Sequence, residues 1–236
     1  MSTRDAVALL AGGVMIVSLL GTTNRSTQAG TATSPLANTT GTGTGLAPLT
    51  SQADKQDARA LISRLRVKDR GSSTGYQRTN YGGNWADSAP GVPYAGNGCR
   101  TRDDLLARDG RDVVRAGCTV LSLTLTDPYT GRDIDWRVSD ADEIQVDHVV
   151  PLSYGWRMAA KSWPKSKRLD FANDPLNLLP VDGRANEEKD GSGPAAWLPP
   201  QRRIRCAYVT RFAQVAVKYD IPVTRADKQT MLAQCR

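Results

Sequence analysis

The stretch Val146-Asp147-His148-Val149-Val150-Pro151 decides how this chain is read. Its β-branched residues predict a strand over Glu143–Val150, with Ile144, Val146 and His148 on one face. Strand alternation sends Asp147 to the opposite face. The chain holds one histidine, so any imidazole chemistry runs through His148. Sites built on two or three imidazoles are excluded within this chain. Two further phrases follow: Asn173-Asp-Pro-Leu-Asn177-Leu-Leu-Pro180 and Asp182-Gly-Arg-Ala-Asn186-Glu-Glu-Lys189. The first predicts a short apolar strand over 176–181. In the second, Asp182 caps a helix that carries Asn186 and Lys189.

Outward from this centre, Leu152–Ser162 reads as a helix, Trp163-Pro164 breaks it, and a second helix runs through Phe171. Upstream, Thr119–Leu125 and Arg132–Trp136 form a hairpin around the turn Asp127-Pro-Tyr-Thr-Gly131. Thr101 and Asp104 resemble a capping box that opens a short helix. Residues 68–98 have loop composition, with Tyr76, Tyr81, Trp85 and Tyr94 as aromatic pins. Ala53–Val67 reads as an amphipathic helix. Ile204, Tyr208, Phe212, Val215 and Tyr219 mark one face of a long helix, and Thr224 with Asp227 caps a last one. Short strands mixed with several helices make the class α+β.

The ends and the composition bound the function. Of 236 residues, 39% are hydrophobic, and the net charge is +7. All but +1 of that charge falls after residue 51. A basic domain attracts polyanions such as nucleic acid. Residues 1–21 carry an uncharged apolar run, Ala6–Leu20, too short for a comfortable membrane span. They read as a secretory signal peptide or an uncleaved signal anchor, the latter tethering the protein to a membrane. Residues 22–51, rich in Thr, Gly and Ser, read as a disordered linker, and 52–236 as the folded domain. The four cysteines, Cys99, Cys118, Cys206 and Cys235, include no CxxC pair. In an exported chain the even count suggests two disulfides rather than a zinc site, and the expected pairs are Cys99–Cys118, closing a short loop, and Cys206–Cys235, stapling the last two helices.

The ordered phrases DHVVPLS, Trp156, FANDPLNLL, VDGRANEEK, WLPP and CAYV, with upstream NGCRTRD and DPYTG, resemble the HNH, or ββα-metal, endonucleases. They are similar, in particular, to the bacterial secreted domain-of-unknown-function 1524 group, across roughly residues 67–235. The resemblance implies a ββα-metal core with additional helices and a β-hairpin, and a metal-dependent endonuclease acting on DNA, or also RNA, without strong sequence specificity. It implies Asp147 and Asn186 as ligands of a divalent metal, most simply Mg²⁺, at a strand end distorted so that Asp147 reaches the metal. His148 would be the general base, Asn177 a hydrogen-bonding tie within the catalytic motif, and Lys189 a phosphate contact. Arg184, Arg202 and Arg203 are candidate substrate-binding residues. Asparagine stands at the third motif position where histidine is more familiar, which favours oxygen-loving Mg²⁺ over Zn²⁺. Trp156, Trp163 and Trp197 read as core rather than as base-stacking platforms. Two other classes remain open from sequence. One is a catalytically silent, exported nucleic-acid-binding surface protein. The other is a cell-wall hydrolase using Asp140, Asp142 and Glu143. The oligomeric state is not legible.

Overall fold

A computed structural model describes residues 24–26, 30–83 and 85–236. The N-terminal apolar run lies outside the described residues, as do residues 21–23 and 27–29 of the segment that follows it.

The site is carried by a two-stranded antiparallel sheet. Strand β5 (Ile144–His148) pairs with β6 (Leu178–Asp182) in unbroken register from Ile144↔Asp182 to His148↔Leu178. The pairing carries no bulge up to His148, and the chain bends only after it, at Val149 and Val150, so that Asp147 and His148 leave β5 on different faces yet both reach its open end. Helix α3 (Leu152–Met158) follows β5, and α4 (Lys165–Asn173) leads back toward β6. Helix α5 (Gly183–Lys189) starts where β6 ends, because Asp182 accepts from the Ala185 amide and caps it.

A second, four-stranded antiparallel sheet stands upstream, in the order β1 (Asn24–Ser26), β2 (Arg111–Ala116), β3 (Thr119–Thr126), β4 (Asp133–Arg137). The expected hairpin is β3–β4. Strand β2 had no sequence signal, since Arg111, Asp112 and Arg115 interrupt its apolar residues. Helix α2 (Thr101–Asp109) packs Leu106 on this sheet with Val113, Val120, Leu123, Leu125 and Trp136. The N-cap of α2 is Arg100, without a side-chain cap, so the capping box expected at Thr101 does not form. The Thr101 hydroxyl instead donates to Asn173 Oδ1.

The main core lies between α1 (Gln52–Ser63), α3, α4, β6, α6 (Arg205–Tyr219) and α7 (Arg225–Gln234). Helix α6 is its axis, with Tyr208, Phe212, Val215 and Tyr219 buried. Trp156 is buried in this core, and Trp163 and Trp197 are partly buried against it. Disulfides join Cys99 to Cys118 and Cys206 to Cys235, the second linking α6 to the end of α7.

The expectation of a disordered linker needs correction where residues 30–51 are described. They form a strap bound to the domain. Leu46 and Leu49 are 4% and 3% exposed and belong to the main core. The Gly45 amide donates to Asp109 Oδ1 at 2.7 Å, and Arg108 Nη1 donates to the Gly41 carbonyl at 2.6 Å. Gly41 has φ +80°, and a Cβ there would stand 2.1 Å from the Leu176 amide nitrogen. Only glycine fits that approach. The strap escapes composition rules because its apolar residues follow no helical or strand period. Its turns are satisfied by backbone bonds between Thr33, Thr44 and Ala47, by the Asn38 side chain on Gly43, and by the buried Arg108 and Asp109 of α2.

Candidate active site

The last residues of β5 and the first of α3 open onto a cleft of about 360 Å³. Asp147, His148, Ser153, Asn186, Glu187 and Asp190 contribute polar groups to its wall, and Tyr76 and Arg78 reach it from the upstream loop. A smaller depression of about 20 Å³ adjoins it, and His148 and Arg78 line that as well.

His148 is 6% exposed. Its Nε2 lies 2.9 Å from the Ala172 carbonyl. A carbonyl can only accept, so the neutral ring carries its proton on Nε2 and keeps a lone pair on Nδ1. Burial, reinforced by the Arg78 charge, pushes the imidazole pKa down to about 4. The ring is therefore neutral throughout the physiological range, where an ordinary histidine would be partly protonated. Trp85 stacks on it, with ring centroids 5.8 Å apart and planes 10° from parallel. Trp85 has φ +54°, a left-handed backbone unusual for a bulky residue.

On the other face of β5, Asp147 Oδ1 accepts from Lys189 Nζ at 2.8 Å, and Oδ2 accepts from the Tyr129 hydroxyl at 2.5 Å. Lys189 also donates to the His148 carbonyl at 2.8 Å and has no exposed surface. Burial lowers its pKa, and Asp147 opposes that shift. The expected phosphate contact by Lys189 is thus corrected. As the last residue of α5, it points under β5, where its ammonium neutralises Asp147 and cannot reach a ligand in the cleft.

Asn186, half-buried one turn earlier, donates from Nδ2 to Gln145 Oε1 at 2.7 Å, and Gln145 Nε2 donates to Glu187 at 3.0 Å. Gln145 therefore fixes the Asn186 amide and leaves its Oδ1 uncommitted. One carboxylate and one amide oxygen suit a Mg²⁺ ion that keeps most of its water. Each Asp147 oxygen retains a second lone-pair direction. The Lys189 ammonium beside Oδ1 weakens attraction for another cation. No cluster of three or more His, Cys, Asp or Glu residues is placed to hold a metal among the described residues. The donor set fits a weakly held, hydrated ion and no closed cage.

Asn177 is fully buried and lines neither the cleft nor the depression. Its Oδ1 accepts from the Val150 amide at 2.8 Å, while Nδ2 donates to the Val150 and Phe171 carbonyls at 3.3 and 3.2 Å. It locks the turn after His148 to β6 and α4. Arg184 is exposed and sits 3.6 Å from Glu188, one helical turn on. Arg203 donates to Gln201 and lines a separate groove beside the strap. None of Arg184, Arg202 and Arg203 lines the cleft.

Sequence reasoning missed four residues here: Tyr129, Gln145, Trp85 and Arg78. Tyr129 lies inside the turn Asp127–Gly131, where Asp127 Oδ1 also accepts from the Asp182 amide, so this turn secures the start of α5. Gln145 shares a strand face with Asp147, and strand period two could have found it. Arg78 and Trp85 come from a loop far in sequence, and no periodic signal points to them.

No solved structure matches this chain. The "Uncharacterized secreted protein" of Arthroderma benhamiae is 36% identical over 177 residues, covering 74% of this chain and 81% of that protein. A family model described as GmrSD restriction endonucleases, C-terminal domain, matches residues 100–234. The matched span contains β5, β6, α5 and the side chains of Asp147, His148, Asn177, Asn186 and Lys189. With more than half of its length inside that match, the chain belongs to the family of GmrSD restriction endonuclease C-terminal domains.

Proposed function

We propose that this protein is an exported HNH-type endonuclease that hydrolyses phosphodiester bonds of DNA, and of RNA by the same chemistry, without strong sequence specificity. One observation carries the reading: a lone, neutral histidine on the wall of a polar cleft, whose Nε2 proton is held by the Ala172 carbonyl so that Nδ1 keeps a free lone pair. Membership of a nuclease-related family supports it. Two disulfides and a relative named as secreted support export.

In this mechanism His148 Nδ1 takes a proton from water as the water oxygen bonds to phosphorus; the opposite P–O bond breaks, its electron pair leaves on the sugar oxygen, and that oxygen takes a proton from solvent. The Ala172 carbonyl stabilises the imidazolium that forms. Asp147 and Asn186 would hold a hydrated Mg²⁺, which when bound supplies positive charge against the developing phosphorane. Tyr129, Lys189 and Gln145 orient those two side chains. Asn177 keeps the backbone after His148 in place.

The test is supercoiled-plasmid nicking by the full chain with Mg²⁺ and with EDTA, beside His148→Ala. Nicking that needs Mg²⁺ and vanishes in His148→Ala is expected. Wild-type rates in His148→Ala would end the proposal, since no second histidine exists to replace it.

A further inference from the structure

A phosphodiester needs a positive seat, and the candidates read from sequence do not supply one. Lys189 is buried and committed to Asp147, and Arg184, Arg202 and Arg203 lie off the cleft. Among the described residues, Arg78 is the one lysine or arginine on the wall of the cleft, and again the one on the wall of the adjoining depression. It is exposed and makes no ion pair among the described residues, although Glu187 and Asp190 line the same cleft.

The backbone under Arg78 is unusually well fixed for a loop. Residues Arg78–Tyr81 form a single 3₁₀ turn. Tyr81 is 2% exposed, and its hydroxyl donates to the Leu152 carbonyl at 2.8 Å, at the start of α3. Asn80 donates to the Gly75 carbonyl at 2.8 Å, and Arg168 Nε donates to the Asn80 carbonyl at 2.8 Å. Trp156 donates to the Thr74 carbonyl and packs against Tyr76 and Tyr81. Because the turn is braced, only the Arg78 side chain, and not the backbone beneath it, has to be ordered when an anion binds.

We infer that Arg78 is the phosphate-binding residue of this cleft, seating a backbone phosphate beside His148 through the two-pronged face of its guanidinium. The inference rests on the nuclease reading above, and it names the residue through which the cleft holds a nucleic-acid backbone. Planar guanidinium geometry matches two phosphate oxygens at once, which lysine cannot do. Recognition by a phosphate alone carries no base information, in keeping with weak sequence preference. The acidic side chains of Glu187 and Asp190 repel a phosphate, so Arg78 also sets where along the cleft the backbone can rest.

The experiment uses the full chain, a fluorescein-labelled 30-base-pair duplex, and the variants Arg78→Ala, Arg78→Lys and Arg225→Ala. Arg225 is exposed at the start of α7 and does not line the cleft. Anisotropy in EDTA over 50–200 mM salt reads binding without cleavage. Single-turnover cutting with Mg²⁺ reads chemistry. Arg78→Ala should weaken binding by roughly 10- to 100-fold and reduce the salt slope by about 0.9. Arg78→Lys should restore the slope but cut at least about 10-fold slower than wild type, an outcome that loss of a structural contact would not give. Arg225→Ala should match wild type in affinity. The Arg78 variants should melt within about 2 °C of wild type, as an exposed side chain without partners predicts. Wild-type affinity and slope in Arg78→Ala would overturn the inference, and so would a wild-type chain that does not bind the duplex. A chain that binds through Arg78 and never cuts would sink the nuclease reading alone.

Discussion

Lys189→Met offers the sharpest test of how this site is built. The substitution keeps most of the volume of the side chain and removes only its charge and donors. Lys189 has no exposed surface, and Asp147 is 5% exposed. Without the ammonium, Asp147 keeps only the Tyr129 hydroxyl on Oδ2, and Oδ1 is left buried beside the His148 carbonyl. Removing one partner of a buried ion pair costs about 3–5 kcal/mol. A domain of this size shifts by about 2–4 °C per kcal/mol, so melting in EDTA should fall by roughly 6–20 °C. Asp147→Asn alone should also destabilise, since it strands the ammonium. The double variant Asp147→Asn/Lys189→Met should lose less than the sum of the two, because neither buried charge remains unpaired. Circular dichroism melts of all four chains at one pH measure the cycle. A Lys189→Met protein melting within about 2 °C of wild type, or strictly additive effects, would refute the argument that Lys189 serves as the internal counter-ion of Asp147.

The pH response of stability follows from His148. Its folded pKa of about 4 lies below the unfolded value near 6.5, so the unfolded chain takes up the proton first. Its stabilising effect is complete above pH 6.5 and is lost as pH falls toward 4. Urea titrations should show wild type losing about 3 kcal/mol more than His148→Gln across that window, and parallel curves would contradict the burial argument. Leu46→Ala and Leu49→Ala should each cost about 2–4 kcal/mol in the same assay, where a flexible tether would give no loss. Replacing Cys206 and Cys235 together by serine should cost about 3 kcal/mol, and an unchanged urea midpoint would show that this bridge does not restrain the unfolded chain.

Much of the fold was legible because its periodic parts are strongly periodic. The helical face Tyr208, Phe212, Val215 and Tyr219 and the strand Ile144, Val146, His148 each repeat at the spacing of their element. The two disulfides were legible from cysteine count and placement. Strand β2 was hidden because Arg111, Asp112 and Arg115 break its alternation, and its pairing with β3 carries register shifts at Val114. The strap was hidden for a different reason. Its partners, Arg108, Asp109 and Gln214, sit far along the sequence on helices that pattern reading treats as complete without it. In the site, Asp147, His148 and Asn186 came from one ordered motif. The misplacement of Lys189 came from helix direction: the last residue of a short helix packed on β5 faces inward, and residue type alone suggests the surface. Arg78 and Trp85 required tertiary structure, because the chain brings them to His148 from some 60 to 70 positions away.

The strap also bears on survival among extracellular proteases. Between Arg25 and Lys55 the sequence has no lysine or arginine, so trypsin-like enzymes find no bond to cut across the whole length that crosses α2 and α6. Enzymes that prefer small side chains meet the opposite case, since Thr39, Thr40 and Thr42 are exposed there. Digestion should therefore begin at that turn with elastase-type proteases and elsewhere with trypsin. A nick at the turn would sever the chain on one side of Gly41, the residue wedged against Leu176, and the backbone beyond Leu176 leads directly to Asn177 and the turn behind His148. Which protease disables the protein first would then report, without any mutation, whether the strap and the cleft act as one mechanical unit.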